Sequence, residues 1–358
     1  MPIKSRWTIP IPRLSLPSLI FTSPTQPLST TKAALIDANH PTTHYLTPHT
    51  YRLWSQRIAA GLRAAGLQPG DRVLLFSGNT LLYPALFMGV VMAGGIFSGA
   101  NPTYLARELA HQLRDTGARC LICAGTGTSL ETGLEAAGMV GVGREGVFVF
   151  GDEVFDGDGA GLGRLGCRSW GELIADEEEG RGFAWEELSS DEELSRTVAL
   201  NYSSGTTGVP KGVEITHYNY VANACQVRHL ASLAPDYEAK TRRAKWLCFL
   251  PMYHAMAQTI FIALAPLRGI PVYIMPKFDF LEMLENAQKF KITDLTMVPP
   301  VVVALAKHPA VRSGKYDLSA VESVGSGAAP LGREVSEEVE DLWEKGKINL
   351  KQGWGMTE

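Results

Sequence analysis

Hydrophobic positions dominate one long stretch near the start of the chain, and its length allows two interpretations. Residues 73–106 include no charged side chain, which is enough chain to cross a bilayer as a helix. Pro84 and several glycines interrupt the stretch, however, and buried elements of α/β proteins also appear as uninterrupted apolar runs. We therefore favour a buried strand over residues 72–77, a buried helix over 81–93 and a second short strand, rather than a membrane span.

The chain after this stretch continues to alternate between helical and extended patterns. The spacing predicts a helix over residues 107–116 and a strand over 118–124. Strands that alternate with helices in this way are typical of a parallel sheet. Residues 125–166 are rich in glycine and contain one clear strand, 147–150, while residues 176–180 form an acidic tract. We expect both segments to be surface excursions.

A second alternation of strands and helices begins at residue 246. Apolar segments there predict strands over residues 246–250, 270–275, 294–298, 320–325 and 348–352. Helical patterns lie between them, at residues 258–267, 280–290, 301–307 and 334–343. The sequence therefore predicts an α/β fold with two stacked, mostly parallel sheets, each flanked by helices.

The chain also suggests a division into a leader and two lobes. Residues 1–30 are rich in Pro, Ser and Thr, contain basic but no acidic residues and have no continuous apolar core. We expect a loosely attached leader there rather than a secretory signal. Residues 70–216 form the first predicted lobe, and residues 217–358 together with 31–69 form the second.

Composition limits the classes of function. Hydrophobic residues make up 45% and charged residues 20% of the sequence, as in ordinary globular enzymes. The net charge of -4 argues against nucleic-acid binding. Cys120 and Cys123 form a C-x-x-C pair, but a strand would direct them to opposite faces, which disfavours a zinc or redox site. We expect all five cysteines to be reduced packing residues in an intracellular compartment.

A glycine-rich loop at residues 203–212 is the first candidate for chemistry. It contains three glycines, four hydroxyl side chains and Lys211, and short strands are predicted on both sides of it. Backbone N–H groups in such a loop can bind phosphate oxygens, and the lysine adds a positive charge. A plain hairpin turn is the alternative. The order of residues around Lys211 differs from that of a Walker A loop.

Further candidates follow the predicted strands of the second sheet. They are His254, Lys277, residues 326–329 and residues 352–358. Ligands of open α/β sheets bind beyond the carboxyl ends of the strands. We therefore expect these residues to line one ligand-binding site. Each of them alone would be an ordinary surface or core residue.

Four of these segments together resemble the motifs of the acyl-adenylate-forming enzymes. Residues 202–212 (YSSGTTGVPKG) are similar to the phosphate loop of that superfamily. Residues 250–254 (LPMYH), 325–332 (GSGAAPLG) and 352–358 (QGWGMTE) resemble its next three motifs in the same order. Two shorter segments, IFSGANP at 96–102 and MPKF at 275–278, resemble the 4-coumarate–CoA ligase branch.

The resemblance implies a ligase that acts in two steps. A carboxylate attacks the α-phosphate of ATP and forms an acyl-adenylate with release of pyrophosphate, and coenzyme A then displaces AMP. It implies Mg²⁺ as the metal, and a small carboxylic acid, ATP and coenzyme A as binding partners. It leaves the oligomeric state open and a cytoplasmic or peroxisomal location possible.

The resemblance also implies roles for individual residues. Lys211, His254, Thr357 and Glu358 would be catalytic, Glu358 as the Mg²⁺ ligand and His254 as a hydrogen-bond donor to the carboxylate. Lys277 would contact coenzyme A. The remaining ATP-binding residues would be Ser203, Ser204, Gly205, Thr206, Thr207, Gly208, Gln352 and Gly353. The acyl and adenine walls would be formed by Met256, Ser326, Gly327, Ala328 and Ala329.

Two departures from the family pattern affect the expected activity. Met256 stands where coumarate ligases tend to have an aromatic hydroxyl, which points to a more apolar aryl or medium-chain acid. The family pattern also continues beyond the Thr-Glu pair into a ribose-binding aspartate, a barrel subdomain and a C-terminal lid domain that this sequence does not contain. An incomplete ligase is the leading hypothesis, with a catalytically silent nucleotide-binding homologue or transfer to a carrier protein as alternatives.

Overall fold

The computed structural model describes residues 5–22, 27–156, 163–203 and 210–357. These residues form fourteen strands: β1 (Leu35–Asp37), β2 (Tyr45–Leu46), β3 (Arg72–Phe76), β4 (Ile96–Ala100), β5 (Cys120–Ala124), β6 (Val147–Phe150), β7 (Arg168–Ser169), β8 (Thr197–Ser203), β9 (Lys211–Thr216), β10 (Trp246–Cys248), β11 (Val272–Ile274), β12 (Asp294–Met297), β13 (Ser323–Ser326) and β14 (Lys351–Gln352).

The same residues form fifteen α-helices and one π-helical segment, Gln258–Leu264. The helices are α1 (Leu16–Phe21), α2 (Pro48–Ala64), α3 (Tyr83–Met92), α4 (Ala106–Thr116), α5 (Ser129–Val140), α6 (Glu177–Gly182), α7 (Asp191–Leu194), α8 (His217–Ser232), α9 (Tyr237–Arg243), α10 (Ala255–Ala257), α11 (Ala265–Arg268), α12 (Phe280–Phe290), α13 (Pro299–Lys307), α14 (Pro309–Arg312) and α15 (Arg333–Glu340).

The first sheet contains seven strands in the order β7-β6-β5-β3-β4-β8-β9. All neighbouring strands run parallel except β8 and β9, which form an antiparallel pair around the glycine-rich loop. β3 lies at the centre with four of its five residues buried, and α3 is buried along its whole length. The uncharged stretch therefore forms a strand, a core helix and a strand, as predicted. Among the described residues, no helix combines the length and apolar character that crossing a bilayer requires.

The second sheet also contains seven strands, in the order β14-β13-β12-β10-β11-β1-β2. Its pairs are parallel except for β1 with β2. One continuous hydrophobic core joins it to the first sheet, because Val73 and Leu75 belong to the same buried cluster as Leu247 and Leu295. The predicted fold class is thus confirmed. The division of the chain into domains stays a prediction.

The two cysteines of the C-x-x-C pair lie on opposite sides of β5, as expected. Cys120 packs against the core between the sheets, whereas Cys123 belongs to the smaller core under α4 and α5. Burial raises the pKa of the Cys120 thiol to about 12. All five cysteines are free thiols.

Three segments form helices that the sequence did not predict. Helix α1 lies within the predicted loose leader, yet Leu16 is 0% exposed and Phe21 is 3% exposed. Helix α5 lies in the glycine-rich segment, where Gly133 leaves no room for a Cβ atom, which would lie 2.2 Å from Sγ of Cys123. Helix α6 lies in the acidic tract, and its Gly180 packs against Arg57 of α2.

Candidate active site

The predicted site residues of the second sheet lie at one edge. Neighbouring strands there are parallel, with Cys248 opposite Ile274, Met297 opposite Ser326 and Ser326 opposite Gln352. The segments that follow these strands therefore emerge on the same side. The structure thus brings together the segments that contain His254, Lys277, Ser326–Ala329 and Gln352–Gly353.

The end of β13 forms a tight cradle with the end of β14. The backbone N–H of Gly353 donates to the carbonyl of Ser326 at 2.8 Å, and that of Gly327 donates to the carbonyl of Met297 at 3.2 Å. Ser326 is 6% exposed, and its Oγ has no hydrogen-bond partner among the described residues. An orphaned hydroxyl beside closely packed backbone is suited to a polar ligand group.

Gly327 brings the cradle into contact with Met256. A Cβ atom at residue 327 would lie 3.2 Å from Sδ of Met256 and 3.5 Å from the carbonyl oxygen of Gly353. The next residue, Ala328, has a φ of 72°, a left-handed conformation that is uncommon for a residue with a side chain. Ala328 and Ala329 are exposed. The wall predicted for the acyl group is therefore built of small residues and one flexible thioether.

His254 is presented by a turn that follows β10. Its N–H donates to the carbonyl of Pro251 at 3.1 Å, and it occupies the N-cap position of α10. Its ring lies 4.3 Å from that of Tyr253, centroid to centroid. The side chain is exposed, but partial burial of the imidazole by surrounding atoms lowers its pKa. This shift favours the neutral ring, which can donate one hydrogen bond.

Lys277 follows β11 on the same edge and is exposed. Its neighbour Phe278 packs against Phe249 of the adjacent segment, with ring centroids 5.5 Å apart. This contact ties the Lys277 segment to the one that leads into the His254 turn. The ammonium group is free to move because the lysine side chain has a long, flexible stem.

The flanks of the glycine-rich loop are held by helix α4. In the antiparallel pair, Ser203 of β8 lies opposite Lys211 of β9, so both residues stand at the base of the loop. The Tyr202 hydroxyl donates to the carboxylate of Asp115. Nε2 of His111 lies 3.2 Å from the carbonyl oxygen of Pro210. Lys211 is exposed.

Part of the predicted site lies outside the described residues. This applies to Ser204, Gly205, Thr206, Thr207 and Gly208 of the loop and to Glu358. Thr357 is partly buried, and Gln352 is exposed with its Nε2 3.4 Å from Oγ of Ser336. In the part of the chain that is described, no three His, Cys, Asp or Glu side chains converge as a metal site.

Two residues around the site were not assigned a role from the sequence. Asn79 lies inside the uncharged stretch, and its side chain hydrogen-bonds to the segments that lead to His254 and Lys277. Gly99 lies in the IFSGANP segment, where the sequence alone offered no structural reason for a glycine. A Cβ atom there would lie 2.5 Å from the Tyr83 hydroxyl and 2.9 Å from Cα of Tyr253.

Comparison with known proteins identifies a family. The AMP-binding enzyme family matches residues 28–358. The chain is 33% identical over 327 residues to 4-coumarate–CoA ligase 1 of Petroselinum crispum, covering 91% of this chain and 55% of the relative. It is 31% identical over 328 residues to a phenylacetyl-CoA ligase of Aspergillus niger, covering 91% of this chain and 57% of the relative. The chain therefore spans about half the length of the curated relatives that it matches.

Solved structures share the fold. A long-chain-fatty-acid-CoA ligase from Archaeoglobus fulgidus superposes with a TM-score of 0.80 at 23% identity, covering 98% of this chain and 65% of that one. A luciferase from Phrixothrix hirtus superposes with a TM-score of 0.76 at 25% identity, covering 97% of this chain and 78% of that one. Because the family model matches residues 28–358, which include both sheets, the chain belongs to the AMP-binding enzyme family.

Proposed function

We propose that the protein is an acid–thiol ligase that activates a carboxylic acid with ATP and transfers the acyl group to coenzyme A. The observation that carries the proposal is the shared carboxyl edge of the second sheet, where His254 and the Ser326–Gly327 cradle lie together. Family membership supports the same chemistry, as do relatives named as coenzyme A ligases.

In the first step, a carboxylate oxygen of the acid attacks the α-phosphorus of ATP. The bond to the bridging oxygen breaks, and pyrophosphate leaves with both electrons. Lys211 and the loop that begins at Ser203 would hold the leaving phosphates, since a lysine and backbone N–H groups stabilise developing negative charge. Neutral His254 would donate a hydrogen bond to the carboxylate and orient it without competing as a nucleophile.

The adenine half of ATP would occupy the cradle at the end of β13. The orphaned Ser326 hydroxyl and the bare backbone of Gly327 fit a flat polar ring that must approach closely. Gln352, Gly353 and Thr357 would contact the rest of the nucleotide. In the second step, the thiolate sulfur attacks the acyl carbon and AMP leaves, with Lys277 positioned to attract the negatively charged coenzyme.

The proposed Mg²⁺ would need ligands from the nucleotide. The described residues offer no cluster of three candidate ligands, but Mg²⁺ is usually held by one or two carboxylates together with substrate phosphates and waters. A single carboxylate from Glu358 fits that requirement. When bound, the ion would neutralise phosphate charge during the attack.

The acyl group is proposed to be an aryl or medium-chain apolar acid. Met256, which lies beside Gly327, and small residues would line the wall, and none of the predicted wall residues carries a charge. The names of the relatives, which include 4-coumarate, phenylacetyl and acyl ligases, support the same range.

Carboxylate-dependent exchange of pyrophosphate into ATP tests the first step. The full gene product is assayed with 4-coumarate, cinnamate, phenylacetate and octanoate. We expect exchange with at least one acid and a loss of about 10²–10³-fold in Lys211→Ala. Lys240→Ala, which removes a surface lysine paired with Asp236, serves as the matched control. Undiminished exchange in Lys211→Ala would contradict the role of the loop.

Thioester formation tests the second step separately. Coenzyme A and a carrier-protein phosphopantetheine are offered to the preformed adenylate, and the thioester is quantified by mass. Formation of acyl-coenzyme A supports the ligase. Transfer only to the carrier, or pyrophosphate exchange without any thioester, would support the adenylation step and exclude the coenzyme A step.

A further inference from the structure

The side chain of Asn79 connects the first sheet to two segments of the second. It lies just beyond the carboxyl end of β3 and is 6% exposed. Its Nδ2 donates to the carbonyl of Leu250 at 3.0 Å and to that of Met275 at 3.3 Å. Its Oδ1 accepts from the backbone N–H of Met252 at 2.9 Å. Both amide hydrogens and the amide oxygen are therefore used.

Two of these bonds hold the turn that presents His254. Leu250 and Met252 flank Pro251, whose carbonyl accepts the N–H of His254 at 3.1 Å. Because Asn79 bonds to a carbonyl before the proline and an N–H after it, the direction in which the chain enters the turn is fixed. His254 follows only two residues after Met252.

The third bond holds the segment that leads to Lys277. Met275 follows β11, and its own N–H donates to the carbonyl of Cys248 at 2.9 Å. Close packing reinforces the contact, since a Cβ atom at Gly78 would lie 3.2 Å from the carbonyl oxygen of Pro276. One amide group therefore sets the position of both strand ends relative to each other.

The geometry points to Asn79 as a positioning residue that aligns the His254 turn with the Lys277 segment. The inference rests on the proposed function, in which His254 orients the carboxylate and Lys277 attracts coenzyme A. Asn79 touches neither ligand in this role. It acts through the turn, because a side chain that both donates and accepts can hold two carbonyls and one N–H at fixed separations.

Replacement by a residue of the same shape separates hydrogen bonding from packing. Asn79→Leu removes all three bonds and keeps the volume. Asn79→Asp keeps an acceptor for Met252 but directs a carboxylate oxygen at two carbonyl oxygens. Gln56→Met is the matched control. Gln56 is 8% exposed, and its Nε2 donates to the carbonyl of Phe183 at 2.7 Å. The substitution therefore removes a buried amide hydrogen bond that joins other segments.

The first readout is independent of activity. Histidine ring signals are recorded by NMR over a pH series, and the His254 signal is assigned by its loss in His254→Asn. In Asn79→Leu we expect the pKa of His254 to move up toward the ordinary value of 6.5, because the released turn becomes better hydrated. Gln56→Met should leave it unchanged. An unchanged His254 titration in both Asn79 variants would overturn the positioning role.

The second readout compares the effect on kcat with the effect on KM. Asn79→Leu should lower kcat for adenylation about 10²-fold, as a displacement of about 1 Å can do, and leave the KM for ATP unchanged. Equal losses in Asn79→Leu and Gln56→Met would show a merely structural effect and overturn the inference. If the native protein adenylates no acid, the proposed function fails, while the NMR comparison still decides the role of Asn79. If Asn79→Leu does not fold, the NMR and kinetic measurements are made on Asn79→Asp, and the same results support or overturn the inference.

Discussion

Asn201 and Gln258 form a buried hydrogen bond that joins β8, the strand before the glycine-rich loop, to the π-helical segment that follows His254 in the chain. Nδ2 of Asn201 donates to Oε1 of Gln258 at 2.8 Å, and the Tyr220 hydroxyl donates to the same oxygen at 2.7 Å. Asn201 is 1% and Gln258 0% exposed. Gln258 also begins the π-helical segment, and its N–H donates to the carbonyl of His254 at 3.1 Å. The bond thus connects the two halves of the candidate site.

Removal of the shared acceptor should destabilise the protein strongly. Gln258→Leu removes the acceptor that the Asn201 amide and the Tyr220 hydroxyl share and leaves these two groups with the long hydrogen bond between them, at 3.4 Å. We therefore expect a loss of about 2–4 kcal/mol in the free energy of unfolding. Tyr220→Phe removes one donor and should cost only about 1 kcal/mol. Urea unfolding of both variants measures the difference. Equal stability of the two variants would contradict this account of the network.

A side chain at residue 99 should disturb the turn that carries His254. In Gly99→Ala the new Cβ would lie 2.9 Å from Cα of Tyr253 and 2.5 Å from the Tyr83 hydroxyl, so backbone has to move. We expect a loss of about 1–3 kcal/mol in stability and a shifted NMR signal from His254. Gly138→Ala is the control, because nothing lies within 4 Å of the added atom, and alanine in helix α5 should stabilise by about 0.5–1 kcal/mol.

A side chain added at residue 327 should raise the KM for some acids more than for others. In Gly327→Ala the new Cβ would lie 3.2 Å from Sδ of Met256, which can yield because a thioether side chain is flexible. Stability should therefore change little, whereas KM should rise more for bulky aryl acids than for short straight-chain acids. Gly332→Ala, with nothing within 4 Å of the added atom, is the control. Equal changes in KM for all acids would show that residue 327 does not face the acyl group.

Acid should release the N-terminal helix through His217. The N–H of Leu16 donates to Nδ1 of His217 at 3.1 Å, and this contact requires an unprotonated nitrogen. Burial, with a smaller contribution from Arg196, lowers the pKa of His217 from 6.5 to about 4. Its contribution to stability is fully present above pH 6.5. As the pH falls toward 4, the unfolded state takes up a proton that the folded state does not, and about 3 kcal/mol is lost.

Two measurements check this pH dependence. The urea midpoint of the native protein should fall between pH 7 and pH 5 more steeply than that of His217→Asn, which keeps an acceptor but cannot take up the proton. Fluorescence of Trp185, whose Nε1 donates to Oγ of Ser18 at 2.9 Å, should report the release of α1. Parallel pH profiles for the native protein and His217→Asn would exclude His217 as the cause.

Local pattern was sufficient for elements that bury one regular face. Helix α12 spans Phe280–Phe290 as the sequence predicts, with Met283, Leu284 and Ala287 buried on one side. The buried run through β3 and α3 was equally clear, since apolar residues on every face need protein on every side. Strand ends were less accurate. The predicted strand at 348–352 is reduced to Lys351–Gln352, because an edge strand pairs only where its neighbour continues.

Helices α1 and α6 depend on contacts with residues that are distant in the chain. Alone, the segment around α1 is a Pro- and Ser-rich stretch, and it is buried because Leu16 meets His217, 201 positions away. Glycines in the segment of α5 and acidic residues in that of α6 indicated irregular surface segments. In the structure, Gly133 and Gly180 let those helices approach a cysteine and an arginine side chain closely.

The sequence by itself determined which residues can perform the chemistry and that they follow successive strands of a parallel sheet. Hydroxyls, glycines, one lysine and one histidine in ordered motifs are readable because they depend only on local chain composition. Only the tertiary structure decided how those residues are held. Asn79 meets Leu250 across 171 positions and Asn201 meets Gln258 across 57, because hydrogen-bond partners between sheets are set by the packing of the sheets and leave no periodic trace in either segment.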